Sequence, residues 1–207
     1  MLSEDELRVL WAQFDALDPT MGAFYKLRLL TAQRGGEVAS MRWQDVDVDA
    51  GWWTIPATDS KNKLAHRVPL NASALAILKT LRAEADRILA AREARRDGTS
   101  APLVYVLDGA RGKRQQAEAA ATFTVENFRG HDLRRTAASM MASGGIPRLT
   151  IAKILNHVER SVTAVYDRHG YDPEKRSALD WWHAKLNDIL RNAQRRPAKV
   201  VSINASA

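Results

Sequence analysis

Two stretches of the sequence place arginine among residues that could bind an anion. Arg34 follows the apolar run YKLRLLTAQ and precedes Glu37. His131 and Arg134 begin the stretch HDLRRTAASMM, and their spacing of three residues puts them on one face of a helix start. A helix N-terminus also presents free backbone N–H groups and a positive dipole end, which favour phosphate. These side chains are therefore candidates for holding an anionic group.

Three further residues could supply proton transfer and a nucleophile. Lys61 lies at the tip of a predicted hairpin, where a flexible ammonium can reach into a groove. His157 ends the helical stretch RLTIAKILN, and Tyr166 follows nine residues later in VTAVYDRHGY. Each also has an ordinary structural interpretation: a solvated turn lysine, a histidine satisfied at a helix end, or, for Arg34, an ion pair with Glu37.

The composition narrows the class of protein. A chain of 207 residues with 45% hydrophobic and 27% charged residues is typical of a globular protein. Without cysteine it can form neither disulfides nor zinc–thiolate sites, and its five histidines lack HxxxH or HExxH spacing. The net charge of +7 favours a polyanionic partner such as nucleic acid. Because the start of the chain is polar and the apolar runs are short, we expect a cytoplasmic protein with no membrane partner.

Hydrophobic periodicity predicts a mostly helical chain with one small antiparallel sheet. Ser3 and Glu6 have the spacing of a capping box at the first helix. The predicted helices are 3–17, 23–31, a short one through Met41 after a break at Gly35–Gly36, 71–95, 124–128, 132–143, 149–155, 158–168 and 173–191. The predicted strands are 46–48, 52–55, one ending at Leu70, and LVYVL at 103–107. The polar segment 108–121 is expected to be mobile.

Several side chains are expected in the core or at a helix cap. The long helix should be capped by Asn71 or Ser73 and should bury one apolar face. Asp132 is the expected N-cap of the helix that begins near it. The residues expected in the core are Tyr25, Leu75, Leu78, Leu81, Ile88, Tyr105 and Ala137 to Met141.

In chain order the candidate residues read Arg, Lys, His-x-x-Arg, His, Tyr. This order resembles the C-terminal catalytic domain of the tyrosine recombinase (phage integrase) family. The matching stretches are LLTAQRGGEVASMRWQDVDVDAGWWTIP, DSKNKLAHRVPL, GHDLRRTAASMMASGG and IAKILNHVERSVTAVYDRHGY, within a resemblance that covers about residues 1–190. It implies an α+β, mostly helical fold with a small antiparallel sheet packed on a helical core.

The resemblance implies a role for each candidate. Arg34 and Arg134 match two arginines that clamp a scissile DNA phosphate, a task suited to paired guanidiniums. Tyr166 matches the nucleophile that forms a 3′-phosphotyrosyl link and frees a 5′-hydroxyl. A phenol of pKa about 10 is only about 0.1% ionised at pH 7, so it needs local activation. Tyr171 is the only competing tyrosine, because Tyr25 and Tyr105 lie in apolar patterns.

The remaining members of the set assist the transfer. His131 matches a general base or phosphate ligand, Lys61 the general acid for the leaving 5′-oxygen, and His157 a donor to the phosphate. Glu37 matches an acidic position that orients Arg34 or His131. Contacts to the DNA backbone are expected from Lys63, Arg67 and Arg135.

The implied activity is site-specific recombination that integrates or excises a mobile element, without metal, ATP or cofactor. The partners would be double-stranded DNA, further protomers in a tetramer, and a directionality or host architectural factor. We expect a catalytic domain over residues 1–190 and a tail, 191–207, exchanged with a neighbouring protomer. The family's N-terminal core-binding domain is expected to be absent from this chain, which would weaken its DNA binding. A DNA-binding module without activity and a type IB topoisomerase remain alternatives.

Two positions depart from the family's pattern. Asn156 stands where the family usually has glycine, and Gly35–Gly36 replace bulkier residues after the first arginine. The first departure is expected to alter the approach of the backbone to DNA, and the second to loosen the segment that holds Arg34.

Overall fold

The first helices form around caps that the sequence encodes. The computed structural model describes residues 1–94, 103–157 and 170–192. Helix α1 (Glu4–Asp15) starts at the predicted capping box, in which Ser3 and Glu6 hydrogen-bond each other's backbone N–H. Helix α2 (Pro19–Thr31) has Asp18 as its N-cap and proline in its first turn.

Helix α2 is the centre of the core. Most of its residues are buried, and it contacts α1, the short helix α3 (Gly35–Ala39) and three helices later in the chain. It ends at Ala32, whose left-handed backbone (φ 56°) turns the chain sharply toward Arg34. The break expected at Gly35–Gly36 is therefore wrong in position: the chain leaves the helix three residues earlier, and both glycines lie in the first turn of α3.

A three-stranded antiparallel sheet follows, as predicted. Strands β1 (Val46–Asp47), β2 (Trp52–Ile55) and β3 (His66–Pro69) lie in the order β1-β2-β3. Trp53 pairs with Val68, and both side chains are buried because alternate residues of each strand face the core. The hairpin loop between β2 and β3 carries Lys61.

The rest of the described chain is helical. Helix α4 (Ala72–Ala94) is capped by Asn71, whose Oδ1 accepts the N–H of Ala74 at 3.0 Å. It is followed by α5 (Lys113–Ala120), α6 (Gly130–Ser143), α7 (Arg148–Ile154) and α8 (Asp172–Asn192). Helices α6 and α8 both contact α2 and α7, and Ala137 and Met141 on α6 are fully buried as expected. Within the described ranges, no helix is long and apolar enough to cross a membrane.

The predicted strand LVYVL is wrong. Within this segment only Tyr105 forms a β-bridge, with Arg42. The chain turns at Val106, and the side chain of Val106 is buried. Tyr105 is half-buried rather than in the core, and the guanidinium of Arg111 lies 3.4 Å from its ring centre. Val104, expected in a buried strand, is 49% exposed.

Three other local predictions are wrong for identifiable reasons. The segment expected to be mobile forms α5, because the helix propensity of its alanine, glutamine and glutamate residues prevails over its polarity. No helix forms over 124–128, where Asn127 has a left-handed backbone (φ 55°). Ile88 is exposed because the outer half of α4 extends beyond the core.

Gly22 on α2 allows the close approach of α1. A Cβ at this position would lie 2.4 Å from the backbone oxygen of Phe14. We expect Gly22→Ala to lower the free energy of unfolding by about 2 kcal/mol, since backbone must move to relieve the overlap. Urea denaturation measures it. Gly36→Ala is the control: outside its own helix, no atom lies within 4 Å of its added methyl group, so equal losses for both variants would contradict the prediction.

Candidate active site

Four segments of the chain meet at the C-terminal end of α7. The last carbonyls of a helix have no partner within it, and here side chains from elsewhere supply the donors. Ile154 O accepts hydrogen bonds from Gln33 Nε2 and His66 Nε2, both at 2.9 Å. Gln33 follows α2 and His66 begins β3, so these contacts fix α7 against both.

His66 is a buried, neutral member of this group. A carbonyl can only accept, so His66 Nε2 carries the hydrogen. Burial, followed by the positive charges of Lys175, Arg134 and Arg34, lowers the pKa of His66 to about 4, against the opposing effect of its hydrogen bond to Ile154 O. The ring is therefore an uncharged structural donor at neutral pH. Its sequence neighbours gave no sign of this role.

Arg134 on α6 is almost fully buried and holds the same helix end. Its Nη1 donates to Ala32 O at 2.8 Å, and its Nη2 donates to Leu155 O. Burial and then the charge of Arg34 lower the pKa of Arg134 to about 10, against the opposing effect of Glu37. The guanidinium stays charged at neutral pH and is fixed at two points.

Arg34 is held by Glu37 within the first turn of α3. Arg34 Nη1 donates to Glu37 Oε1 at 2.9 Å, and its backbone N–H donates to Oε2 at 3.2 Å. Glu37 is buried, whereas the side chain of Arg34 is 25% exposed. One carboxylate thus anchors the arginine at both ends while leaving part of its guanidinium open.

Two histidines border the arginines. His131 is the second residue of α6, and His157 follows the end of α7. Burial lowers the pKa of each, and the charge of Arg134 lowers both further. Both rings are therefore held toward the neutral form, in which one ring nitrogen can accept a proton and the other can donate a hydrogen bond.

The predicted N-cap of α6 is wrong. The helix begins at Gly130, so Asp132 is its third residue and Arg129 is the N-cap. Asp132 Oδ2 accepts the backbone N–H of Arg129 at 2.8 Å, which satisfies the helix start from inside rather than from the cap position. Arg135 is exposed and lies 3.8 Å from Asp132.

The hairpin loop brings Lys61 to the same end of α7. Asn62 Nδ2 donates to Asn156 O at 2.9 Å, so the loop is tied to the residue before His157. Lys61 and Lys63 are both exposed. Arg67, a predicted DNA contact, forms an ion pair with Asp172.

Asn156 has a left-handed backbone (φ 47°) directly after α7. The N–H of His157 donates to Ala152 O at 2.9 Å, which closes the helix in the manner of a Schellman motif. The conformation explains why glycine would fit here. A residue with a Cβ costs about 1 kcal/mol more, although asparagine tolerates it better than most.

The predicted nucleophile Tyr166 and the predicted helix 158–168 lie outside the described residues, as does the tail from residue 193 on. The competing Tyr171 is described. It is half-buried with a left-handed backbone (φ 54°), and the ammonium of Lys153 lies 4.7 Å from its ring centre.

Arg28 is a site neighbour that the sequence analysis missed. Its side chain lies against Gly35 and Gly130, where an added Cβ would come within 3.0 and 2.5 Å of the guanidinium. The guanidinium also lies 5.1 Å from the Phe24 ring centre. Gly35 thus makes room for Arg28, and the signal for it was a basic residue inside the apolar run KLRLL.

These contacts gather five of the six predicted catalytic residues around one helix end. The five are Arg34, Lys61, His131, Arg134 and His157. A cleft of about 340 Å³ beside them is lined by His66, Asn156 and His157. Among the described residues, no group of three or more His, Asp or Glu side chains could hold a metal ion. The guanidiniums of Arg34 and Arg134 beside this helix end suit an anionic substrate.

Residues 1–172 match the profile of the Phage integrase family. The chain belongs to that family. The chain is 30% identical over 164 residues to prophage integrase IntA of Escherichia coli (strain K12), covering 75% of this chain and 36% of the relative. It is 25% identical over 174 residues to the integrase of Shigella phage Sf6, covering 80% of this chain and 42% of the relative. The chain thus spans less than half the length of these relatives.

A solved structure supports the fold of this chain. XerA recombinase superposes with a TM-score of 0.58 at 20% sequence identity, over 95% of this chain and 65% of that one. The predicted fold class is confirmed: a mostly helical tyrosine recombinase fold with a three-stranded antiparallel sheet.

Proposed function

We propose that this chain is the catalytic part of a site-specific DNA recombinase that cleaves and rejoins strands through Tyr166. One observation carries the proposal: two guanidiniums lie close enough that the charge of Arg34 lowers the pKa of Arg134. In the described structure, the hydrogen bonds of Arg134 go to neutral carbonyls. A phosphodiester between the two arginines would relieve this repulsion.

In the cleavage step, the phenol oxygen of Tyr166 attacks the phosphorus, and the bond from phosphorus to the 5′-oxygen breaks. The phenol proton passes to His131, whose lowered pKa leaves it neutral and able to accept. Lys61 gives a proton to the departing 5′-oxygen, so a free 5′-hydroxyl and a 3′-phosphotyrosyl link result. Arg34, Arg134 and His157 stabilise the charge that develops on the non-bridging oxygens.

Rejoining follows by the reverse reaction with a 5′-hydroxyl from another duplex. The phosphotyrosyl link keeps the phosphodiester's energy, so neither ATP nor metal is required. Exchange between two duplexes cuts four strands, which supports action as a tetramer on double-stranded DNA. We propose that the reaction takes place in the cytoplasm. The relatives named as prophage and phage integrases support a mobile element as the substrate.

Covalent capture tests this proposal. The chain is incubated with a pool of random-sequence duplexes that carry single nicks, so that cleavage beside a nick releases a short strand and traps the protein. After denaturation, the bound DNA is sequenced and the modified peptide is identified by mass spectrometry. We expect attachment at Tyr166 and none in Tyr166→Phe, because phenylalanine lacks the attacking oxygen.

Tyr171→Phe is the matched control, since it removes the same hydroxyl five residues away and should still be captured. Attachment that survives Tyr166→Phe would assign the nucleophile elsewhere. Tight DNA binding with no covalent product in the unmodified chain would favour the DNA-binding module instead.

A further inference from the structure

Asn156 joins the loop that carries Lys61 to the segment that carries His157. Asn156 Nδ2 donates to Ser60 Oγ and to Asn62 Oδ1, both at 3.0 Å. In return, Asn62 Nδ2 donates to the backbone oxygen of Asn156 at 2.9 Å. Ser60 Oγ donates to Asn62 Oδ1 at 2.6 Å and completes a closed set of side-chain contacts. We call these three residues the asparagine clamp.

The clamp grips Lys61 from both sides. Ser60 and Asn62 are its immediate neighbours, and Ser60 is only 2% exposed. The N–H of Lys63 also donates to Ser60 O at 3.1 Å, which closes the turn around Lys61. The backbone of Lys61 is therefore fixed, while its side chain is exposed and free to reach a substrate.

The left-handed backbone at Asn156 does not by itself require an asparagine side chain. Glycine suits the left-handed conformation better, so the closure of α7 alone gives no reason for asparagine. The amide of Asn156 is what reaches across to the hairpin loop. The side chain is thus explained by the loop it holds rather than by the helix it ends.

We propose that Asn156 is a positioning residue that sets Lys61 for proton donation to the leaving 5′-oxygen, an inference that rests on the proposed function. Fixing the two neighbours of Lys61 against the residue before His157 sets the distance between the proton donor and the phosphate. Loss of the clamp would leave Lys61 in place but poorly oriented, and small misplacements of a catalytic group reduce rates strongly.

The test compares two forms of one DNA sequence recovered by covalent capture. One carries the natural 5′-bridging oxygen at the cleaved bond, and the other carries sulfur there. A thiol of pKa about 8.5 leaves as the thiolate without a proton, so the sulfur substrate does not need the general acid. Asn156→Gly keeps the left-handed backbone and removes the two hydrogen bonds that the Asn156 amide donates to Ser60 and Asn62.

We expect Asn156→Gly to cleave the oxygen substrate about 10- to 100-fold more slowly in a single turnover and the sulfur substrate at nearly the unmodified rate. Asn62→Ala, which breaks the clamp from the loop side, should behave alike. Asn127→Gly is the matched control, an asparagine at another left-handed position (φ 55°), and should cleave both substrates normally. Thermal unfolding confirms that each variant is folded.

The outcomes separate the inference from the proposed function. An equal loss on both substrates, or no loss on the oxygen substrate, would overturn the positioning role while leaving the recombinase intact. Failure of the unmodified chain to cleave either substrate would overturn the proposed function and the inference with it.

Discussion

Replacing Arg134 with lysine is expected to slow strand cleavage by about 10³-fold, although the side chain remains a cation. Arginine holds Ala32 O and Leu155 O with two nitrogens and still has donors left for a phosphate oxygen. Lysine has one nitrogen and cannot span the same partners while binding a planar pair of oxygens. The rate is measured in a single turnover on the captured substrate.

The residual rate of Arg134→Lys should also fall as the pH rises from 7 to 9. Burial lowers the pKa of Arg134 to about 10 from a much higher starting value, and lysine starts lower, so it would lose its proton within this range. Arg176→Lys is the control, because Arg176 also donates to two carbonyls, Ala50 O and Gly51 O, away from the site. A rate for Arg134→Lys within tenfold of the unmodified chain would contradict the expected role.

Acid is expected to destabilise the fold through His66. Its pKa is about 4 in the folded state, below the ordinary value of 6.5, so the unfolded chain binds the proton more readily. The stabilisation is complete above pH 6.5, falls as the pH drops toward 4, and levels off below that value. The free energy of unfolding should decrease by up to about 3 kcal/mol across this window.

Urea denaturation at pH 7.5, 5.5 and 4.5 measures the effect. His66→Asn should lower stability at pH 7.5 and should reduce the loss between pH 7.5 and 4.5, leaving the smaller contributions of His131 and His157. His183→Asn, at a half-buried position of α8, should keep the full loss because His66 is still present. An undiminished acid dependence in His66→Asn would show that another group is responsible.

Local sequence signals predicted the parts of the fold that depend on neighbours in the chain. The capping box at Ser3, a cap at Asn71 or Ser73 and the β2–β3 hairpin are all short-range predictions. The structure confirms the box and the hairpin, and it shows Asn71 as the cap. The start of α6 was misplaced because a glycine at position 130 can adopt helical geometry as readily as a turn. The strand expected at Tyr105 did not form because the chain turns at Val106, which leaves Tyr105 as the one bridging residue of that segment.

The residue types of the candidate site and their order in the chain were predictable, but the residues that hold them in place were not. Arg34, His131 and Arg134 stand out because their charges border apolar runs. Gln33 and His66 do not, since their partner is the carbonyl of Ile154, far away in sequence. Backbone oxygens carry no sequence signal, so contacts to them appear only when the chain is folded.

The end of α7 determines where the sequence of this chain can accept insertions. The donors to the carbonyls of residues 154–156 come from Gln33, Asn62, His66 and Arg134. Among the described residues, the stretch from Asn71 to Arg129 supplies none of them. The positions of the reactive groups are thus fixed by their contacts with one helix end rather than by contacts with each other. Insertions at exposed positions of the intervening stretch, away from buried residues such as Leu78 and Leu107, can lengthen the chain and remodel its surface without disturbing the spacing at which the chemistry takes place.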